Sequence, residues 1–94
     1  MIKNILPVHD FNYNTGRVKI FHANKGEGLP RHEHTYAHVT FCMAGACVIR
    51  KENKEVVVDR FTTPIELVAN EWHEIEATED NSVFCNVLAE ENNY

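Results

Sequence analysis

Three histidines lie within seven residues of one another, in the segment HEHTYAH at residues 32–38. Side chains two residues apart on a β-strand point to the same side of the strand, with their Cα atoms about 6 to 7 Å apart. His32 and His34 therefore converge if the segment is extended. His38 is also an even number of residues from His32 and His34, so its ring can face the same side. It would do so either further along the strand or just beyond a bend near Thr35 and Tyr36. The spacing predicts three imidazoles around one point.

A fourth histidine, His73, lies in a later strand-like segment, WHEIEA, which closure of a barrel would bring alongside the first. Imidazole nitrogens suit a divalent transition metal better than Mg or Ca, which prefer oxygen ligands, and the candidates are Fe, Ni, Zn, Co, Cu and Mn. The alternative is that histidines are half-buried polar residues hydrogen-bonded to their neighbours, an interpretation we keep for His9 and His22. For the cluster, each buried imidazole without a partner would cost about 1 to 3 kcal/mol. One shared metal ion would satisfy all of them.

Short strands are the elements that must position these histidines. Apolar and β-branched runs alternate with polar breaks rich in Gly, Asn, Asp and Glu, such as NKGEG and TEDN, and no stretch has a long helical period. Strands are predicted at residues 18–23, 37–43, 47–51, 55–61, 64–69, 72–77 and 82–89. Such short strands at regular spacing indicate an all-β sandwich or barrel.

The histidine spacing resembles the first signature motif of the cupin superfamily, G-x5-H-x-H-x3-E-x6-G. The matching positions here are Gly26, His32, His34, His38 and Gly45, with His38 where the family usually has glutamate. The segment VANEWH at residues 68–73 is similar to the second motif, P-x-G-x2-H, with valine and asparagine in place of the proline and glycine.

The resemblance implies a small, conical jelly-roll β-barrel: a single cupin domain over residues 1–94, with its barrel core at about 18–89. It also implies a metal in the mouth of the barrel, held by His32, His34, His38 and His73. Four neutral imidazoles leave a divalent ion its full charge, whereas a carboxylate ligand would reduce it. The site is therefore expected to be a strong Lewis acid that attracts a small anionic or chelating ligand.

Three functions are compatible with such a site. Octahedral coordination by four protein ligands leaves two adjacent positions, which suits a metal-dependent enzyme such as an Fe(II) dioxygenase. The alternatives are a non-catalytic binding or sensor module and a purely structural metal, although structural sites are usually closed and rich in cysteine. The fold alone does not choose among them.

The residues around the histidines give few further candidates. Tyr36 and Thr40 share the parity of His34 and His38, which makes them tentative ligand-pocket residues; Cys42 has that parity too, but core packing is preferred for it. The neighbouring carboxylates and the long side chains are expected to point away from the site or to cover the outer surface: Glu33, Glu74, Trp72, Arg31 and Arg50. No catalytic residue is assigned, because no nucleophile is paired with a base.

Composition limits the partners and the location. The chain has 94 residues and a net charge of −5, which disfavours nucleic acid and anionic membranes as partners. We expect no signal peptide and no membrane span. Three cysteines without CxxC spacing indicate packing residues and a reducing cytoplasm. A barrel this small is expected to bury an edge or an apolar face in a homodimer, and AEENNY is expected to be a polar C-terminal tail.

Overall fold

The structure, a computed structural model, describes residues 1–89; the tail expected at the C-terminus lies, from residue 90 onward, outside the described residues. The strands are β1 (Lys3–Asn4), β2 (His9–Tyr13), β3 (Gly16–Ala23), β4 (Glu27–His32), β5 (His38–Ala44), β6 (Ala46–Lys51), β7 (Lys54–Asp59), β8 (Ile65–Leu67), β9 (His73–Ala77) and β10 (Ser82–Leu88). Residues 1–89 contain no helix that is long and apolar enough to span a membrane.

Two five-stranded sheets face each other in a jelly-roll arrangement, which confirms the expected all-β class. The first sheet has the order β1-β4-β9-β6-β7 and the second has the order β2-β3-β10-β5-β8. The chain passes from the second sheet to the first between β5 and β6, at Gly45, whose φ is 70°. A Cβ at that position would collide with Ser82, so the corner requires glycine for both its backbone conformation and its lack of a side chain.

The core lies between the sheets and is built from every second residue of their strands. The Phe21 and Phe84 rings stack with their centroids 4.8 Å apart, and Ile49 and Ile75 face them from the first sheet, fully buried. Burial of each such side chain contributes about 1.5–3 kcal/mol. The three cysteines are free and buried, as expected of packing residues.

Three of the ten strands, β1, β2 and β4, were not among the seven predicted. β2 reads HDFNY and is fully exposed, so it lacks the apolar alternation by which a strand is recognised. β4 reads EGLPRH and contains a glycine and a proline, which are usually signs of a turn. The proline is tolerated because the pairing of β4 with β9 is interrupted between Leu29 and His32.

The outer faces of the two sheets differ in polarity. On the first sheet, Arg50 of β6 forms ion pairs with Glu74 (2.9 Å) and Glu76 (3.0 Å) of β9. On the second sheet, the outward positions of β3, β10 and β5 carry no Lys, Arg, Asp or Glu; they are Val18, Ile20, His22, Val83, Cys85, Val87, Val39, Phe41 and Met43. The second sheet therefore has apolar residues on both of its faces.

Candidate metal centre

The four histidines come from four different places in the chain. His32 ends β4, His34 lies in the following loop, His38 begins β5, and His73 begins β9. The chain bends at residues 35–36, so the segment HEHTYAH is not one continuous strand. The sequence allowed either a continuous strand or a bend before His38, and the structure has the bend. The first sheet thus supplies His32 and His73, and the second sheet supplies His38.

The imidazole rings form a compact cluster between the ends of the two sheets. One nitrogen from each of His32, His34 and His73 lies within 4.8 Å of the other two. The ring centroid of His38 is 5.0 Å from that of His34 and 5.4 Å from that of His73. A transition metal is held about 2.0–2.1 Å from imidazole nitrogen, so the three nitrogens are near the separation that a shared ion requires.

Hydrogen bonds to backbone carbonyls fix the orientation of three of the rings. The Nδ1 atoms of His32, His34 and His73 lie 2.8, 2.8 and 3.2 Å from the carbonyl oxygens of Pro30, Tyr36 and Glu71, respectively. A carbonyl only accepts, so each neutral ring carries its proton on Nδ1 and keeps a lone pair on Nε2. The Nε2 atom of His73 is buried and has no hydrogen-bond partner among the described residues. A buried Nε2 lone pair without a hydrogen-bond partner is expected of a histidine that binds a metal.

The fourth ring is oriented by side chains instead. Thr40 Oγ1 lies 2.7 Å from Asn86 Oδ1 and 3.2 Å from His38 Nδ1. Since Asn86 Oδ1 is an acceptor, the Thr40 hydroxyl donates its only proton there and accepts the Nδ1 proton of His38. These two hydrogen bonds occupy Nδ1 of His38 and leave its Nε2 as the free nitrogen, as in the other three rings. Asn86 and this use of Thr40 were not expected from the sequence.

The loop that carries His34 is tied to the loop before His73. The backbone N–H of Asn70 donates to the carbonyl of His34 at 2.8 Å, and Asn70 has a φ of 64°. Asparagine adopts this left-handed conformation more readily than most residues, as expected where the similar motif has glycine.

Burial favours the neutral form of three of these imidazoles, His34, His38 and His73. Burial, followed by the proximity of His34 and His73, lowers the pKa of His38 from 6.5 to about 3. Burial, followed by the proximity of His32 and His34, lowers the pKa of His73 to about 4. The pKa of His34 is also lowered, mainly by burial. A neutral imidazole is the form that binds a metal.

A cleft of about 460 Å³ opens onto the histidines and leads to solvent. His32, His34 and His38 line it together with Tyr36, whose ring stacks on that of His34 with centroids 4.2 Å apart. The N-terminal residues 4–7 form part of its wall, which the sequence did not indicate. Lys19 and Arg31 also line it, and none of its lining residues within the described chain is an aspartate or glutamate.

Other residues considered from the sequence lie apart from this cleft. Thr40 is buried behind His38 rather than in the cleft wall, and Cys42 belongs to the hydrophobic core. Glu74 points outward to Arg50, and Glu33 is exposed.

Trp72, Arg31 and the two remaining histidines lie on the outer surface or make contacts outside the histidine cluster. Trp72 donates to Glu52 at 2.9 Å, and the guanidinium of Arg31, which also lines the cleft, stacks over the Trp72 ring at 3.8 Å. His9 and His22 are exposed on the second sheet, which corrects the expectation that they are half-buried.

Comparison with solved structures identifies this arrangement of strands. KdgF from a Halomonas species matches with a TM-score of 0.79 at 11% identity, over 90% of this chain and 78% of that one. A cupin protein from Bacteroides fragilis matches with a TM-score of 0.71 at 17% identity, over 87% and 74% of the two chains. A cupin superfamily protein from Desulfitobacterium hafniense gives 0.73 at 13% identity, over 86% and 72%. The chain has the cupin fold.

At these identities the comparison establishes the cupin fold alone. A scan against protein-family models finds no match, and a search of curated proteins finds no relative. Within the cupin fold, His32, His34 and His73 form a cluster that can hold a metal ion. The Nε2 atoms left free by the Nδ1 hydrogen bonds, and the buried, unpartnered Nε2 of His73 in particular, fit such an ion.

Proposed function

We propose that this cupin binds one divalent transition metal through His32, His34, His38 and His73, and that the metal centre acts on a small anionic or chelating molecule. The proposal depends on one observation: all four Nδ1 atoms are engaged by fixed acceptors, so every ring presents Nε2 as its free nitrogen. When bound, such an ion supplies Lewis acidity and, if it is iron, redox chemistry with dioxygen. The candidate ions are Fe, Ni, Zn, Co, Cu and Mn.

The lining of the cleft supports an anionic ligand. Burial favours the neutral form of His34, His38 and His73, and neutral imidazole ligands would not offset the 2+ charge of the ion. The charged side chains that line the cleft in the described residues are Lys19 and Arg31, both positive. An anion is thus the electrostatically matched occupant, even though the chain as a whole is acidic.

The absence of a carboxylate from the cleft lining bears on the type of activity. Isomerases and lyases commonly need a protein base beside the substrate, and residues 1–89 place no aspartate or glutamate in the cleft. An Fe(II) dioxygenase relies more on open metal positions, so we favour this activity among the enzymes. The same absence supports the second candidate, a non-catalytic binding or sensor module. The three free cysteines are consistent with the reducing cytoplasm in which we propose the protein works.

Metal content measured by elemental analysis tests the proposal. Untagged protein, purified without chelator, is compared with a His34→Ala, His73→Ala double variant and with His22→Ala, which changes an exposed histidine outside the cluster. We expect about one equivalent of metal in the wild type and in His22→Ala, and almost none in the double variant. Wild-type protein that binds no metal even after anaerobic reconstitution contradicts the proposal. If iron is found, oxygen consumption with candidate organic acids separates the enzyme from the binding module.

A further inference from the structure

Lys19 is a charged residue on the inward side of the second sheet. It shares its side of β3 with Phe21 and Ala23, both buried in the core, and it is itself half-buried. Its neighbours in the sheet are Asp10 on β2 and Asn86 on β10. Lysine is rarely placed on a core-facing position without a partner, so the position calls for an explanation.

The neighbouring carboxylate does not supply that partner. Asp10 accepts two hydrogen bonds from the guanidinium of Arg17, at 2.7 and 3.0 Å. No carboxylate within residues 1–89 lies within 4.0 Å of the Lys19 ammonium. Asp10 is thus engaged by Arg17, and Lys19 forms no ion pair with any carboxylate of residues 1–89.

The position of Lys19 relates it to the histidine cluster. One row across the second sheet runs from Lys19 through Asn86 to Thr40, the residue that accepts from His38. Two strand spacings, about 9–10 Å, separate Lys19 from Thr40 in this row, and the lysine side chain extends into the cleft that His34 and Tyr36 also line. A small molecule in the cleft therefore lies between an ammonium group and the imidazoles.

We propose that Lys19 binds the carboxylate of a small organic acid whose second polar group faces the three histidines that line the cleft, His32, His34 and His38. Tyr36 lines the cleft together with Lys19 and His34. Ile5, Leu29 and Leu88 give the cleft an apolar side for the carbon chain of the acid. The inference rests on the proposed function for the second polar group, whereas the carboxylate site is formed by Lys19 without the metal. It specifies an organic carboxylate rather than any chelator as the ligand class.

Binding of matched acids and amides tests the proposal. Malonate, succinate and glutarate are titrated against the metal-free and the zinc-loaded protein, with the diamide of each as the neutral analogue, and affinities are taken from amide chemical shifts. We expect at least one diacid to bind, its diamide to bind much more weakly, and the largest shifts near Lys19 and Tyr36. Equal binding of acids and diamides, no binding of any acid, or shifts centred elsewhere would overturn the proposal.

Variants isolate the contribution of the ammonium group. Lys19→Met keeps the unbranched apolar stem as far as Cε and removes the ammonium group. It should weaken diacid binding about 10-fold or more, as expected for loss of a charge-assisted hydrogen bond. Lys19→Arg should restore most of the affinity. Lys25→Met makes the same change of net charge at an exposed site on the loop after β3 and should have no effect.

Diacid binding and zinc content, measured on the same variants, test the carboxylate site and the metal centre independently. Unchanged diacid binding in Lys19→Met, with the zinc content also unchanged, would overturn the role of Lys19 and leave the metal centre standing. Lys19-dependent diacid binding by a protein that takes up no metal would support the carboxylate site and contradict the metal centre. If Lys19→Met does not fold, the shift map of the unaltered protein still decides the proposal.

Discussion

The Thr40 hydroxyl orients His38 through a hydrogen bond whose direction is fixed by Asn86. Removing the hydroxyl leaves the Nδ1 proton of a buried imidazole without an acceptor, so the ring can change its tautomer or rotate. Loss of such a partner typically costs 10- to 100-fold in metal affinity. We expect Thr40→Val to lower affinity by about 10-fold or more while the protein stays folded. Competition with a chromophoric chelator measures this, and Thr40→Ser, which keeps the hydroxyl, should bind metal almost normally.

The buried histidines also make the metal-free protein sensitive to acid. The pKa values of His38 and His73 are lowered to about 3 and about 4 in the folded chain, whereas both lie near 6.5 when it unfolds. Below about pH 6.5 the unfolded state therefore binds more protons than the folded state. The free energy of unfolding falls as a result. Stability should be constant from pH 8 to pH 7 and decrease progressively between pH 6.5 and pH 4.

Thermal unfolding of metal-free protein across this pH range measures the effect. His38→Gln should flatten the decrease, because it removes one of the buried titrating groups. His22→Gln should leave it unchanged, because His22 is exposed. Added metal should raise the melting temperature at pH 7.5 and lose this effect in acid, since protons compete for the same nitrogens. Metal occupancy that is as high at pH 4 as at pH 7.5 would be incompatible with a site made only of histidines.

At the scale of the elements, the loop of Asn70 couples two segments that carry histidines. Its backbone N–H holds the His34 carbonyl, and its φ of 64° is unfavourable for a residue with an ordinary Cβ. We expect Asn70→Ala to lower the free energy of unfolding by about 1 kcal/mol and to weaken metal binding, because the His34 loop shifts with it. Asn70→Gly should retain both. Denaturant unfolding and metal titration of the two variants test this, and equal behaviour would show that the left-handed conformation is unimportant.

The sequence was most informative where residue type alone decides the outcome. The spacing of Gly26 and Gly45 around the histidines pointed to turns, and both glycines have positive φ. The parity of His32, His34 and His38 predicted convergence, although a bend rather than a single strand produces it. β2 and β4 were missed because pairing with neighbouring strands, not their own composition, keeps them extended.

Lys19 was missed for a physical reason that also concerns β3. Its parity with Phe21 and Ala23 was the available signal, since a lysine on the same side as buried residues is unusual. Val18 and Ile20 occupy the other side, however, so β3 is apolar on both sides and its sequence does not show which side is inward. Only the pairing with β10, whose Phe84 and Asn86 face inward, resolves this.

At the scale of the whole molecule, the outer face of the second sheet exposes apolar side chains to solvent, as protein–protein interfaces often do in the isolated chain. Its exposed apolar side chains include Phe11 (48%), Met43 (47%) and Val87 (38%). We propose that a second copy covers this face, because homodimer interfaces are more apolar than other surfaces and a self-contact here buries no charge from the three central strands. The charged outer face of the first sheet is unsuited to this role.

Light scattering at micromolar concentration tests this arrangement. Wild-type protein should have twice the chain mass of 10.8 kDa. Val87→Glu, which places a charge at the centre of the face, should be a monomer. Val57→Glu makes the same change on the outer face of the first sheet, where Val57 is 65% exposed, and should remain a dimer. A monodisperse wild-type monomer would rule the homodimer out, and a Val87→Glu dimer would rule out this face.

The position of the chain's first residues has a practical consequence for anyone who purifies this protein. β1 lies beside β4, the strand that ends at His32, and Asn4, Ile5, Leu6 and Pro7 are part of the cleft wall. Only residues 1–3 separate an affinity tag fused ahead of Met1 from the cleft wall, so a polyhistidine tag long enough to reach the cleft would bring a second set of imidazoles there. Metal stoichiometry and colour measured on such a fusion would then report partly on the tag, so cleavable tags and tag-free reference samples are essential.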